Sequence, residues 1–198
     1  MLAIVDYGMA NLRSVQKAFE AVGRAAVITA DPAVVAAADH VVLPGVGAFR
    51  DAIARIRDAG FADGIRRHIA ADKPFLGICL GLQLLFDRSH EDGRHDGLGV
   101  FPGDVVRFPA RPGIKVPHMG WNTLRDLHGP LFAGLEEGEF AYFVHSFFAE
   151  NSPEAVAVTD YGLPFSAGLQ RDNFYAVQFH PEKSGLAGQR ILQNFLAI

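Results

Sequence analysis

Short apolar runs alternate with amphipathic stretches through the first half of the chain. The first run, residues 2–5, stops at Asp6-Tyr7-Gly8, after which apolar side chains recur at helical spacing up to Val22. The same alternation predicts further strands at residues 26–28, 41–43 and 74–78, and helices at residues 49–56 and 61–69. Apolar strands that alternate with amphipathic helices are typical of a parallel sheet covered on both faces.

The pattern changes after Arg88, where glycine, proline and histidine become frequent and the apolar runs shorten. Strands are predicted there at residues 100–108, 138–148, 155–159, 165–169 and 174–179, followed by a closing helix that contains Ile191 and Phe195. Short runs joined by turns favour antiparallel pairing. The predicted fold is therefore α/β, an open sheet that is mainly parallel with antiparallel additions and has helices on both faces.

Length and composition narrow the class of protein. A chain of 198 residues, 49% of them hydrophobic and without a linker or repeat, is predicted to form one domain over residues 1–198. The net charge of −4 comes from 18 basic and 22 acidic residues that are mixed along the chain, so neither a nucleic acid nor a membrane is expected as a partner. With a single cysteine, no apolar run near the ~20 residues of a membrane span and no basic leader, a reducing cytoplasm is expected.

That single cysteine lies in the stretch GICLGLQLL, at the end of one apolar run and the start of the next. A strand, then Gly77-x-Cys79-x-Gly81, then a predicted helix over residues 82–86 has the spacing of a nucleophile elbow. A thiol at a helix N-terminus is favoured as thiolate, and the Leu80 N–H would point toward an oxyanion. The alternative is a packing role, because free cysteine is among the most buried residue types.

A base for this nucleophile is suggested by one of the eight histidines. His180 follows the apolar run 175–179 and precedes Pro181-Glu182. Residues i and i+2 of an extended segment point to the same side, so Glu182 is placed to hold the imidazole tautomer. A hydrogen-bonded loop histidine is the alternative. A metal site ranks third, since the sequence has no HExxH motif, and no metal or cofactor is predicted.

A glycine-rich turn after the third predicted strand is a candidate for a second oxyanion donor. Residues 43–49, LPGVGAF, would lie at the carboxyl edge of the parallel sheet, where such sheets bind ligands. A dinucleotide-binding loop is excluded because Arg50 occupies the third glycine position of that motif. A plain strand-to-helix turn remains the alternative.

Together, the Gly-x-Cys-x-Gly elbow and the late His-Pro-Glu resemble the class I glutamine amidotransferases. More specific segments resemble the glutaminase subunits of imidazole glycerol phosphate synthases, and they are residues 6–15, 43–47, 117–122, 142–146 and 178–185. Two positions depart from that pattern: Ala10 replaces a usual glycine, and Phe147-Phe148 stands where a tyrosine is more usual. The resemblance implies an open α/β fold of that family.

The resemblance also implies a reaction and the residues that perform it. Cys79 would attack the side-chain amide of glutamine, and His180, oriented by Glu182, would protonate the departing ammonia and then activate water against the thioester. The oxyanion would be held by the backbone N–H of Leu80 with that of Val46 or Gly47. Glutamine would be bound by four further residues: Gly45, Gln83, Ser146 and Phe147.

A partner is implied as well. Ammonia would pass into a (β/α)₈-barrel synthase subunit that forms imidazole glycerol phosphate and aminoimidazole carboxamide ribotide in histidine biosynthesis. The family positions at that heterodimer interface are matched by Asn11, Trp121, Asn122, Tyr142 and Lys183. Without the resemblance, core packing would be the expectation for Trp121.

Two other functions share parts of this pattern. A free-standing cysteine hydrolase, such as a γ-glutamyl hydrolase, would use the same triad but leaves residues 6–15 and 117–122 without a role. An inert scaffold or regulatory binding module would not need Cys79, His180 and Glu182 together.

Overall fold

The computed structural model describes residues 1–150 and 152–198. Seven strands form the main sheet in the order β11-β12-β13-β4-β3-β1-β2. Their bounds are β1 Leu2–Val5, β2 Ala26–Thr29, β3 His40–Gly45, β4 Phe75–Cys79, β11 Ala155–Asp160, β12 Pro164–Arg171 and β13 Phe174–Val177. The five strands from β13 to β2 are parallel, whereas β11 and β12 pair antiparallel at one edge. The predicted mainly parallel sheet with antiparallel additions is confirmed.

Helices cover both faces of this sheet. They are α1 Leu12–Ala21, α2 Pro32–Ala37, α3 Phe49–Asp58, α4 Phe61–Ala70, α5 Leu80–Gln83 and α6 Gly185–Ala197. Alternate residues of β1 explain the layering, because Leu2 and Ile4 pack in the core cluster on the side of α1 and α6. Ala3 and Val5 point to the other side and join the cluster that includes α2, α3 and α4.

Two smaller sheets lie beside the main one. The strands β5 Phe86–Ser89, β6 His95–Asp96, β7 Phe101–Arg107 and β10 Phe147–Ala149 form a four-stranded sheet. The strands β8 His118–Thr123 and β9 Phe140–His145 form an antiparallel ribbon, defined here as the β8–β9 ribbon. Two 3₁₀ turns complete the described residues, at Pro130–Phe132 and Pro181–Lys183.

The structure differs from the prediction in several places, and the strands β6 and β8 were not predicted. The helix α2 is absent from the prediction because it is only six residues long and shows no amphipathic pattern. Asp31 caps it by accepting from the Ala33 N–H, and Pro32 occupies its first turn. The elbow helix predicted over residues 82–86 is instead the single turn Leu80–Gln83, and the chain re-enters a strand at Phe86. The predicted strand 138–148 is divided at Ser146 into β9 and β10.

Within the described residues, no helix has the length and apolar character that crossing a membrane requires.

Candidate active site

The nucleophile candidate stands at the carboxyl end of the central strand. Cys79 is the last residue of β4 and directly precedes α5, with φ 56° and ψ −109°. A positive φ is rare for a residue with a side chain and stores strain that the surrounding fold must balance. The register places Gly45 of β3 opposite Cys79 on one side, and Val177 of β13 opposite Ile78 on the other. The ends of β3 and β13 are thus held next to the thiol.

The glycines of the elbow are required by close backbone approach. A Cβ on Gly81 would lie 1.8 Å from the Leu43 carbonyl oxygen, and one on Gly77 would lie 2.9 Å from the Gly81 carbonyl oxygen. A Cβ on Gly45 would lie 2.5 Å from the Tyr7 hydroxyl oxygen and 2.8 Å from the Leu80 Cβ. These close approaches explain why the elbow motif has glycine on either side of Cys79.

His180 and Glu182 form a buried pair beside the thiol. Nδ1 of His180 lies 2.8 Å from Oε1 of Glu182, and the two side chains are 5% and 2% exposed. Burial acts to lower the pKa of His180, but the adjoining Cys79 and Glu182 side chains outweigh it and raise the pKa to about 10. Nε2, the ring nitrogen that Glu182 does not contact, is on the side of the Cys79 thiol. The pair can therefore hold a proton next to the sulfur.

The two oxyanion candidates differ in their hydrogen bonding. The Leu80 N–H begins α5, where the first backbone N–H groups have no acceptor within the helix. The Val46 N–H donates to the Met9 carbonyl oxygen at 3.4 Å, so it is directed away from a bound substrate. Gly47, at φ 93°, is in a backbone conformation that glycine adopts readily.

A cavity of about 350 Å³ opens in front of Cys79 and is of a size that ligand sites use. It is lined by residues that the sequence analysis named: Val46, Gly47, Cys79, Leu80, Gln83, Ser146, Phe147, His180 and Lys183. Gly45 and Glu182 line a small second crevice that shares Val46, His180 and Lys183 with this cavity. The predicted catalytic, oxyanion and substrate residues are thus brought together at one edge of the sheet.

Glu91 also lines this cavity, although the sequence did not predict it as a site residue. It follows β5 in a segment without a recognisable motif, and its Oε2 accepts from the Phe49 N–H at 2.7 Å, at the start of α3. That contact orients the carboxylate. Glu91 supplies a negative charge that the predicted site lacked.

Gln83 contacts the opposite wall of the cavity. Its Nε2 donates to the Phe147 carbonyl oxygen at 2.8 Å and to Oε1 of Gln178 at 3.1 Å, which uses both of its amide hydrogens. Oε1 of Gln83 has no protein donor among the described residues. Oε1 of Gln83 can therefore accept a hydrogen bond from a ligand in the cavity.

Three of the predicted interface residues are on the β8–β9 ribbon, with Trp121 and Tyr142 on its outward face and Asn122 on its inward face. The Trp121 ring is 55% exposed and meets the Tyr142 ring at 5.9 Å, and the Lys183 ammonium lies 5.8 Å from the Tyr142 ring centroid. Asn11, which precedes α1, lies in a crevice with Lys183. Asn122 instead turns inward, where its Nδ2 lies 3.2 Å from Nε2 of His118.

The inward face of the ribbon carries two buried histidines that pair across the strands. His118 and His145 are directly opposite in register, with Nδ1 of His118 3.0 Å from Nε2 of His145. Burial lowers the pKa of His118 to about 4. Burial also lowers the pKa of His145 to about 3, although the hydrogen bond to the Phe147 backbone acts in the opposite direction. Both rings are neutral in the folded protein at neutral pH.

We expect this pair to make the fold sensitive to acid. Below about pH 6.5 the unfolded chain binds protons at these histidines while the folded chain does not, so stability present above that pH is lost as pH falls. The free energy of unfolding, measured by urea at about pH 7.5 and about pH 5, should therefore fall less between the two pH values for His118→Phe than for wild type. Phenylalanine retains the aromatic stack at this position. His128→Phe, at an exposed ring, is the control. Equal losses in all three proteins would contradict the expectation.

Among the described residues, no three histidine, cysteine, aspartate or glutamate side chains are grouped as metal ligands would be.

Comparison with protein families identifies the class of this chain. The family model described as glutamine amidotransferase class-I matches residues 3–198. The chain therefore belongs to the class I glutamine amidotransferases.

Two similar proteins, both described as imidazole glycerol phosphate synthase subunit HisH, narrow the class further. The one from Syntrophotalea carbinolica is 55% identical and covers 98% of each chain. The one from Aquifex aeolicus is 50% identical and covers 97% of this chain and 94% of its own.

At these identities the chain falls within the HisH family of imidazole glycerol phosphate synthase subunits. The prediction of a glutaminase subunit of that synthase, in histidine biosynthesis, is confirmed. Solved structures agree on the fold. PurLQS from Thermotoga maritima matches with a TM-score of 0.76 at 19% identity, over 99% of this chain and 97% of that one. The glutaminase domain of Trypanosoma brucei CTPS matches with a TM-score of 0.69 at 16% identity, over 99% and 92%.

Proposed function

We propose that the chain hydrolyses glutamine through Cys79, His180 and Glu182 and delivers the ammonia to a synthase partner. The observation that carries this proposal is the placement of three features at one edge of the sheet. Cys79 is on a strained elbow, the buried His180–Glu182 pair lies beside it, and the cavity opens in front of both. The whole of residues 1–198 would act as one amidotransferase domain.

The first half of the reaction forms a thioester. The Cys79 thiol gives its proton to Nε2 of His180, and the sulfur attacks the side-chain amide carbon of glutamine. The oxygen of the tetrahedral intermediate accepts from the Leu80 N–H. As the C–N bond breaks, His180 returns the proton to the leaving nitrogen, which departs as ammonia.

The second half regenerates the enzyme. Neutral His180 takes a proton from water, and the hydroxide attacks the thioester carbon to release glutamate and the thiolate. Glu182 holds Nδ1 of His180 throughout, so that Nε2 faces the reacting atoms in both halves.

Substrate specificity follows from complementary charge on the cavity walls. The Glu91 carboxylate suits the ammonium group of an α-amino acid, and Oε1 of Gln83 accepts a second hydrogen bond from it. The backbone of Ser146 and Phe147 forms the opposite wall. A γ-glutamyl hydrolase would share the triad, but the similarity to HisH subunits favours free glutamine.

The partner surface is the outward face of the β8–β9 ribbon. Three of its side chains are large, apolar and more than half exposed: Met119, Trp121 and Phe140. Apolar side chains grouped in this way are typical of a protein interface. With Asn11, Asn122, Tyr142 and Lys183 nearby, this face would receive the (β/α)₈-barrel synthase subunit in the cytoplasm. Ammonia would then pass to the partner without entering solvent.

The Val46 peptide suggests that the partner also controls the rate. Because the Val46 N–H donates to Met9 in this conformation, the oxyanion has one fewer donor than the mechanism calls for. Rotation of that peptide toward Cys79 on assembly would supply the second donor.

Glutamine hydrolysis should therefore be weak for the chain alone and rise by about 10²-fold or more when the synthase subunit and its ligand are added. Glutamate release, measured with and without the partner, tests this. Equal turnover in both conditions would contradict the dependence on a partner, and faster release from γ-glutamyl peptides than from glutamine would favour the hydrolase alternative.

A further inference from the structure

A continuous chain of hydrogen bonds runs through the interior from the β8–β9 ribbon to the nucleophile. It is defined here as the Asn122–Cys79 network, and its members are Asn122, His118, His145, the Phe147 carbonyl, Gln83, Gln178 and Cys79 Sγ. The catalytic mechanism above uses only its last member directly.

In the part of the network from Asn122 to the Phe147 carbonyl, the donor and the acceptor of every hydrogen bond follow from the groups at its two ends. Oδ1 of Asn122 accepts from the Thr123 N–H, and its Nδ2 donates to the Asp160 carbonyl oxygen, so the amide orientation is set. Nδ2 must then donate to Nε2 of His118, which is 3.2 Å away and consequently carries no proton.

The two histidines follow from this. With Nε2 of His118 an acceptor, its proton is on Nδ1 and is donated to Nε2 of His145. The proton of His145 is then on Nδ1 and is donated to the Phe147 carbonyl oxygen at 2.8 Å, since a carbonyl can only accept. Both histidines are neutral Nδ1–H tautomers.

The donors and acceptors from the Phe147 carbonyl to Cys79 are assigned in the same way. The Phe147 carbonyl oxygen also accepts from Nε2 of Gln83, whose second amide hydrogen goes to Oε1 of Gln178 at 3.1 Å. Nε2 of Gln178 is then the donor that faces Sγ of Cys79, at 3.7 Å. Gln178 is fully buried, so this amide has no competing contact with solvent.

We propose that the Asn122–Cys79 network holds the nucleophile ready for attack, with Gln178 donating to the sulfur and the two histidines fixing the carbonyl on which that donor depends. Gln178 is a catalytic residue in this proposal because it touches the reacting atom. Asn122, His118 and His145 are positioning residues. The proposal deepens the proposed function and rests on Cys79 as its nucleophile.

Donation to sulfur stabilises the thiolate more than the thiol, because a charged acceptor makes the stronger hydrogen bond. Removing it should therefore alter how readily the sulfur loses its proton. The titratable groups around the thiol come from several elements. They are His180 with its partner Glu182 after β13, Tyr7 from the loop after β1, His145 at the end of β9, and Glu91 and Lys183 in the cavity wall. None of these is changed by substituting Gln178.

The test is alkylation of the full chain by iodoacetamide as a function of pH, read by the mass added to its single cysteine. Gln178→Met preserves the shape of the side chain without a donor, and the midpoint of its profile should rise by about one pH unit relative to wild type. Below that midpoint alkylation should be roughly tenfold slower. Gln178→Glu, which also cannot donate when ionised, should shift the profile further. Gln170→Met, on β12 outside the network, is the matched control and should leave it unchanged.

A measurement on the wild-type chain covers the case in which a variant does not fold. ¹⁵N spectra of the histidines should show His118 and His145 as Nδ1–H tautomers with no titration between about pH 6 and 8. An Nε2–H tautomer at either ring, or a folded Gln178→Met with the profile of Gln170→Met, would overturn the network.

Neither measurement needs glutamine or a partner. If the profile shifts as expected but the assembled protein releases no glutamate from glutamine, the proposed function fails while the network stands. If glutamine is hydrolysed and the profile does not move, the network alone fails.

Discussion

Replacing Cys79 with alanine is expected to abolish glutamine-dependent synthesis while leaving synthesis from added ammonia nearly unchanged. The substitution removes the sulfur that forms the thioester in the proposed mechanism, and triad nucleophiles are worth on the order of 10⁴-fold or more in rate. Ammonia supplied in solution bypasses that step, because the proposed function assigns the joining of ammonia to the acceptor substrate to the partner subunit.

The fold should survive this substitution. Alanine keeps the Cβ that the elbow already accommodates at φ 56°, and the residue is only 6% exposed, so the loss is limited to one buried sulfur atom. The assay is product formation by the assembled complex with glutamine and, separately, with an ammonium salt at a pH that provides free ammonia. Urea unfolding of Cys79→Ala checks the fold. Loss of both activities in a folded variant would contradict the division of labour between the subunits.

The sequence was most informative where chemistry and backbone geometry coincide. Gly77, Cys79 and Gly81 predict the elbow because a sharp turn between strand and helix admits no Cβ at its flanks, and the structure has backbone atoms within 3 Å of those positions. His180 and Glu182 are two residues apart and do pair, but Glu182 lies in the 3₁₀ turn Pro181–Lys183 and not in the extended segment that the prediction assumed. The buried parallel strands were equally clear, since each is almost wholly apolar.

Features that depend on distant contacts were not predictable from spacing. Glu91 reaches the cavity because β5 lies beside the elbow, and nothing in its neighbours along the chain marks it. The direction of the Val46 N–H depends on the Met9 carbonyl, which lies on a different loop. His118 and His145 become partners only through the register of two strands, and Gln178 meets the thiol only because β13 lies next to β4.

The elbow helix shows the same limit on a smaller scale. Residues 82–86 carry an apolar pattern that a helix and a buried strand share, and periodicity alone does not separate them. Pairing of Phe86 with Phe101 in the second sheet decides in favour of a strand. With only one turn of helix after Cys79, the helix dipole at the elbow is weaker than the sequence suggested.

The largest expected loss of stability comes from Gly81→Ala. The new methyl group would lie 1.8 Å from the Leu43 carbonyl oxygen and 3.0 Å from its carbon, and both are backbone atoms of the neighbouring strand β3. Neither a rotamer change nor a flexible neighbour can relieve that overlap, so β3 and the elbow must separate. Crowding of this kind costs about 3 kcal/mol in the free energy of unfolding, and more where the backbone cannot move.

Gly64→Ala is the matched control for this substitution. Gly64 is inside α4 with helical backbone, and its added Cβ would lie 3.5 Å from the Pro32 carbonyl oxygen, which is ordinary contact. Alanine there should raise the free energy of unfolding by about 0.5 to 1 kcal/mol, because glycine weakens a helix interior. Urea unfolding of the two variants and wild type measures the difference. A Gly81→Ala midpoint equal to that of wild type would mean that the elbow and β3 are not packed as closely as these distances require.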